Sequence, residues 1–158
     1  MSKILIIAEH DGGKLNASTA KCVTCATKIA GATIDIAVLA ADAAAIAAEA
    51  AALAGVSKVL VVENAANKEP LAAILAPQIA KLAAGYTHVF GPSTTFGKDV
   101  MPRVAALLGV SQISDIMAVD GSHTFKRPIY AGNAILTVEA PAGTPVVATV
   151  RVASFEAA

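Results

Sequence analysis

The chain reads as an α/β domain, a three-layer sandwich in which a mainly parallel sheet is flanked by helices and extended by antiparallel carboxy-terminal strands. Three observations predict this. Through the first two thirds of the sequence, short apolar runs alternate with stretches of helical period, the pattern of a parallel sheet with crossover helices. Glycines or short polar clusters punctuate most of the boundaries. Beyond Gly109 the helical period stops and strand-like runs follow one another as a meander.

Lys3 to Ala8 is an apolar run bounded by Asp11-Gly12-Gly13, long enough only for a buried strand. Asn16 or Ser18 can cap the helix that follows. Its inward stripe is Thr19, Cys22, Val23, Ala26, Ile29 and Ala30, with Gly31 as the stop. Ile34 to Leu39 is the second strand. Asp42 is a suitable N-cap for an alanine-rich helix that buries Ile46, Ala50, Leu53 and Ala54 and stops at Gly55. Val59 to Val62 is the third strand, and Glu63 to Glu69 a solvated loop. Pro70 and Pro77 each fit only near a helix start, which predicts a helix broken at Pro77. Tyr86 to Gly91 is a strand and Gly97 to Leu108 a helix. The meander takes residues 115 to 120, 124 to 130, 134 to 139 and 146 to 152, turning at Gly121-Ser122, at Gly132-Asn133 and across Pro141 to Thr144.

With 158 residues the chain fits one domain, spanning 1 to 158 without repeat or linker. A domain of that size buries about 68 to 70% of its unfolded surface and needs no staple. Lys plus Arg and Asp plus Glu are both 12, so there is no basic field for nucleic acid or anionic lipid. Charged residues such as Glu49, Lys58, Glu63 and Lys81 interrupt the greasiest region before the roughly 20 apolar residues a membrane span requires. The apolar run after Lys3 is too short for a signal peptide, and two cysteines suit a reducing compartment better than a disulfide framework. A cytoplasmic protein is expected.

Four groups of residues could carry chemistry. Gly91, Ser93, Thr94, Gly97 and Lys98 form a loop between a strand and a helix, where backbone N–H groups and the helix dipole could hold an anion. It is not a P-loop, because five residues separate the glycines and Asp99 follows Lys98. The same loop also serves simply to turn a strand into a helix. Cys22 and Cys25 form a CxxC, but inside the helix rather than at its N-terminus, and no second cysteine or histidine pair could complete a zinc site. Glu9-His10-Asp11 ends the first strand, where open sheets place ligands, although successive residues point in different directions. His88 and His123 are isolated and read as structural or surface histidines. Lastly, Arg127 shares a strand face with Phe125 and Ile129, where an unpaired charge is costly, so it requires a partner. Asp115 is the candidate for a buried pair; the alternative is a face covered by a second protein surface. No nucleophile and base, metal cluster or paired carboxylates can be assembled, so no enzyme is expected.

Ile113-Ser114-Asp115-Ile116, Arg127-Pro128-Ile129-Tyr130-Ala131-Gly132-Asn133-Ala134 and the opening Ile7-Ala8-Glu9-His10 resemble the amino-terminal domain of the alpha subunit of electron-transfer flavoproteins. The resemblance runs from the first strand to the last residue. It implies an adenine nucleotide alpha hydrolase-like fold and a scaffold that assembles with a beta subunit and supports a flavin domain. In that family the FAD sits in a second domain, so none is expected in this chain. The parent proteins pass electrons from acyl-CoA and other dehydrogenases to a quinone reductase. Arg103, Ser114, Asp115, Arg127, Tyr130, Gly132 and Asn133 are then residues of a partner interface or of a structural ion pair. The other reading is a free nucleotide-binding module using the Gly91 to Lys98 loop, since the family's beta subunit holds AMP in a similar domain.

Overall fold

In the computed structural model, which describes all residues from 1 to 158, Lys3–Ile7 forms β1 in the interior of the sheet. Alternate β1 side chains enter different cores because successive residues of a strand face opposite ways. Ile4 and Ile6 join one cluster, Leu5 and Ile7 the other. The chain continues through α1 (Ala17–Thr27), β2 (Thr33–Ala40), α2 (Ala44–Ala51), β3 (Lys58–Glu63), α3 (Ala72–Leu82), β4 (His88–Pro92) and α4 (Thr95–Leu107). It ends with β5 (Gln112–Ile116), β6 (Ala118–Val119), β7 (Thr124–Ile129), β8 (Ala134–Glu139) and β9 (Val146–Val150).

The main sheet has the order β3-β2-β1-β4-β9-β5, and every neighbouring pair is parallel. Helices α1 and α2 contribute to the core on one face, where Cys22, Val23 and Ile46 meet Ile36, Phe90 and Val150. Helices α3 and α4 cover the other, where Leu75, Ile79 and Val104 meet Val89 and Val147. The strands β6, β7 and β8 form a separate antiparallel sheet that adds Phe125 to the first core. Antiparallel carboxy-terminal strands are therefore present, but they do not extend the main sheet. The last strand, β9, instead inserts between β4 and β5. Its run Val146-Val147-Ala148-Thr149-Val150 is buried throughout, as a strand covered on both faces must be.

Local signals explain most boundaries. Asn16 caps α1, its Oδ1 accepting from Ser18 N at 2.9 Å. Asp42 lies one residue before the start expected of a cap: Ala43 is the N-cap residue of α2, and Asp42 only accepts from Ala44 N at 3.4 Å. The expected break at Pro77 does not occur, and α3 continues through it. Leu75, Ala76 and Ile79 on either side of Pro77 are buried in one core, which holds the two halves in line against the lost hydrogen bond. The loop after β3 is also more ordered than expected. It contains a 3₁₀ turn, Ala65–Lys68, and buries Asn67 against Val62 O and Gln78.

Candidate functional site

The strand order reverses between β1 and β4, so the carboxyl ends of these strands open the crevice in which doubly wound sheets bind ligands. Glu9, just past β1, points into it. Its Oε2 accepts from Ser18 Oγ at 2.6 Å in the first turn of α1 and from Thr94 Oγ1 at 3.1 Å at the N-cap of α4. One carboxylate thus joins two helix N-termini, where a bound anion would gain most from the dipoles. Thr94 also accepts from Gly97 N at 3.4 Å. Lys98 is exposed, and the hydroxyl of Ser93 is buried without a hydrogen bond.

The loop's glycines have structural causes. A Cβ on Gly97 would stand 1.7 Å from Pro92 O, and one on Gly91 would stand 2.8 Å from Met101. Helix α4 therefore crosses its own strand too closely for any side chain at 97. A dinucleotide's pyrophosphate placed at these helix ends would meet the Glu9 carboxylate.

His10 and Asp11 turn away from Glu9. His10 Nε2 donates to Leu39 O at 2.8 Å while Nδ1 accepts from Gly12 N at 3.0 Å, a pairing that assigns the neutral tautomer protonated on Nε2. Asp11 accepts from Gly13 N and Lys14 N, and these bonds hold its carboxyl below the usual range. Beside them lies a cavity of about 580 Å³ whose lining includes Leu39, Leu75, Phe96, His10, Asp42 and Lys68. Sequence reasoning missed this cavity because its walls come from segments far apart in the chain, among them β1, β2, α3 and α4.

Cys22 and Cys25 are both fully buried and unpaired. Burial pushes the Cys22 thiol well above its ordinary range, with Cys25 and Glu9 adding to the rise, and pushes Cys25 up to about 12. His88 is buried too. Its Nε2 donates to Ser122 O at 2.6 Å and Nδ1 bonds Thr87 Oγ1 at 2.7 Å, tying the main sheet to the turn between β6 and β7. No three His, Cys, Asp or Glu side chains cluster closely enough to hold a metal.

The carboxy-terminal constellation is only partly brought together. Arg127 does share the Phe125 face, but its partner is not Asp115. Arg127 Nε donates to Ser114 O at 2.7 Å, while Asp115 Oδ2 pairs with Arg151 Nη1 at 2.9 Å. Arg151 reaches that carboxylate because β9 lies beside β5, a long-range pairing. Asp115 has φ of 60° where the β5–β9 register shifts, and its N donates to Thr149 Oγ1 at 2.9 Å. Arg103 stands apart on the exposed side of α4, which packs on the opposite face of the main sheet. The β7–β8 turn also differs from expectation. Tyr130, Ala131 and Gly132 take positive φ, whereas Asn133 has φ of −72°. Tyr130 in that turn is 78% exposed, and Ile135 and Leu136 on the outer strand β8 are 57% and 43% exposed.

The family described as "Electron transfer flavoprotein domain" matches residues 4–158. The chain belongs to the electron transfer flavoprotein family. It is 51% identical over 154 residues to an "Electron transfer flavoprotein subunit alpha" from Pseudomonas aeruginosa, covering 98% of this chain and 49% of that protein. A subunit alpha from Paracoccus denitrificans is 46% identical over 98% of this chain and 50% of its own length. One from Dictyostelium discoideum, described as mitochondrial, is 40% identical over 99% and 46% respectively. The chain thus spans about half the length of these flavoprotein alpha subunits, and it corresponds to their amino-terminal domain. No helix is long and apolar enough to cross a membrane.

Proposed function

We propose that this chain is the scaffold domain of an electron transfer flavoprotein alpha subunit. It assembles with the beta subunit into a heterodimer and supports the flavin domain, while the parent protein carries electrons from acyl-CoA and other dehydrogenases to a quinone reductase in fatty acid β-oxidation. The domain is part of an electron carrier rather than an enzyme, and FAD belongs to the parent protein outside these residues. The observation that carries the reading is the β7–β8 hairpin, which exposes Tyr130 in its turn and Ile135 and Leu136 on the two faces of its edge strand β8. Exposed aromatic and aliphatic side chains beside an arginine are what interface centres are made of, and an uncovered edge strand invites a covering partner. Glu9 occupies the anion position beside Thr94, which counts against the nucleotide-binding alternative at that loop. The compartment proposed is the cytoplasm, consistent with two free thiols.

The test is Arg127→Ala, with association to the beta subunit measured by titration calorimetry and the melting temperature of the free chain measured alongside. Affinity should fall about tenfold or more, while the lost bond to Ser114 O lowers stability by only about 1 kcal/mol. If instead the variant unfolds and its surviving folded fraction assembles normally, Arg127 is an internal structural residue and the interface assignment fails.

A further inference from the structure

One of the contacts that hold the small sheet of β6, β7 and β8 to the main sheet can take up a proton. His88 in β4 is fully buried, its ring edge-on to Phe90 at 5.7 Å. Nε2–H reaches Ser122 O at 2.6 Å, and the ring of His123, from the same β6–β7 turn, lies 5.6 Å from the His88 ring. Phe125 of β7 meets Phe90 edge-on at 6.2 Å, so the start of β7 and the turn before it lie together against this end of β4. In the neutral ring Nδ1 accepts from Thr87 Oγ1 at 2.7 Å. A second proton, placed on Nδ1, breaks none of these bonds. Nδ1–H then donates to Thr87 Oγ1, which already accepts from Lys3 N at 2.8 Å, and the Thr87 hydroxyl turns its own hydrogen to Lys3 O, 3.1 Å away.

What opposes the charge is burial first and the His123 imidazole second; the bond to Ser122 O favours it, but by less than burial costs. His123 is the one ionisable side chain that acts on His88 through its charge. Asp120 and Lys126, on either side of the turn, pair with each other at 3.0 Å, and the Lys3 ammonium lies over the Tyr86 ring. Thr87 belongs to the main sheet and adapts in place, so the movement that relieves both costs is that of the turn carrying Ser122 and His123. We propose that His88 is a proton-sensitive latch: with the ring neutral the β6–β7 turn stays docked on β4, and acidification releases the small sheet while the main sheet remains folded. In the released state the ring meets water and takes its proton near the ordinary imidazole value of about 6.5. Docking is therefore fully favoured above that pH and is lost as the pH falls below it. Tyr130, Ile135 and Leu136 ride on the small sheet, so affinity for the beta subunit falls over the same range; this last step alone rests on the scaffold reading.

The test is amide exchange of the free 158-residue chain at pH 7.5 and 5.5, expressed as protection so that the intrinsic effect of pH is removed. The reporters are the amides of Met117, Asp120 and Gly121, bonded to Lys126 O and Thr124 O, against those of β1 and β4. Strand β6 has only two residues, and a hairpin with so little beside it is marginal in water, so these amides exchange once the sheet lifts. Their protection should fall several-fold at pH 5.5, at most about tenfold for one proton, with β1 and β4 unchanged. His88→Gln should abolish the pH-dependent part. His123→Gln should reduce it and raise the midpoint at which the His88 ring titrates by NMR, a readout that stands even if His88→Gln does not fold. An equal fall in both sheets, an undiminished fall in His88→Gln, or a wild-type His88 ring that titrates fully while the small sheet stays protected would overturn the latch. Titration with purified beta subunit at both pH values separates the two claims. No binding at pH 7.5 would sink the scaffold reading and leave the latch to be upheld or overturned by exchange, whereas binding equally tight at both values beside the expected exchange would overturn only the link to assembly.

Discussion

Replacing Glu9 by alanine removes the carboxylate that joins the N-termini of α1 and α4. Two hydroxyls lose their acceptor, Ser18 Oγ from 2.6 Å and Thr94 Oγ1 from 3.1 Å. Hydrogen bonds to a charged group contribute about 1.5 to 3 kcal/mol each, and because Glu9 is only partly buried the lower end applies. A total loss of about 2 to 4 kcal/mol corresponds, in a domain of this size, to a melting temperature lower by roughly 5 to 15 °C. Glu9→Gln keeps an acceptor oxygen and should lose about half as much. The assay is thermal unfolding followed by circular dichroism, repeated with added inorganic phosphate. Phosphate should restore Glu9→Ala more than it stabilises the wild type, because an anion can then enter where the carboxylate stood. If Glu9→Ala melts within about 2 °C of the wild type, or phosphate raises both equally, the reasoning that Glu9 fills the crevice is wrong.

Cys22→Ala with Cys25→Ser should leave binding of the beta subunit intact and lower stability by about 1 to 2 kcal/mol through lost packing, since both thiols are buried and their pKa values raised; loss of electron transfer in the reconstituted parent protein with folding unchanged would contradict this. Burial holds the His88 pKa below its ordinary value, so the unfolded chain takes up the proton first. The stability contributed by neutral His88 is therefore full above about pH 6.5 and lost as the pH falls below it. A His88→Gln variant should show less melting-temperature loss than the wild type between pH 7.5 and 5.5, and equal slopes would refute the assignment. Titration of the chain with FAD should show no saturable quenching at micromolar concentration, whereas a single micromolar site would mean the cofactor has been misassigned.

Strand β1 and helix α1 were legible because their signals are local: an apolar run, an asparagine cap and an inward stripe containing Cys22 and Val23. Pro77 misled because its intrinsic preference was outweighed by burial of Leu75 and Ile79, which only the tertiary structure reveals. The strands β7 and β8 were found, yet their separation from the main sheet depends on β9 returning beside β4. A signal for that existed. Val146 to Val150 lacks the polar alternation of a one-sided antiparallel strand. Arg127 was read as needing a partner such as Asp115, but the Asp115 carboxylate goes to Arg151, brought there by the same pairing of β9 with β5, and Arg127 bonds only Ser114 O. Glu9 had no assigned chemistry in the sequence, since Ser18 and Thr94 reach it only once β1 and β4 are side by side.

Sedimentation velocity of this chain mixed with purified beta subunit, without flavin, tests the central claim most directly. A single faster-moving species of 1:1 stoichiometry, reduced by Arg127→Ala while the free variant still sediments as a folded monomer, is the predicted result. Two species moving independently at micromolar concentrations would contradict the account, because a scaffold domain whose hairpin exposes Tyr130, Ile135 and Leu136 for a partner must assemble with it.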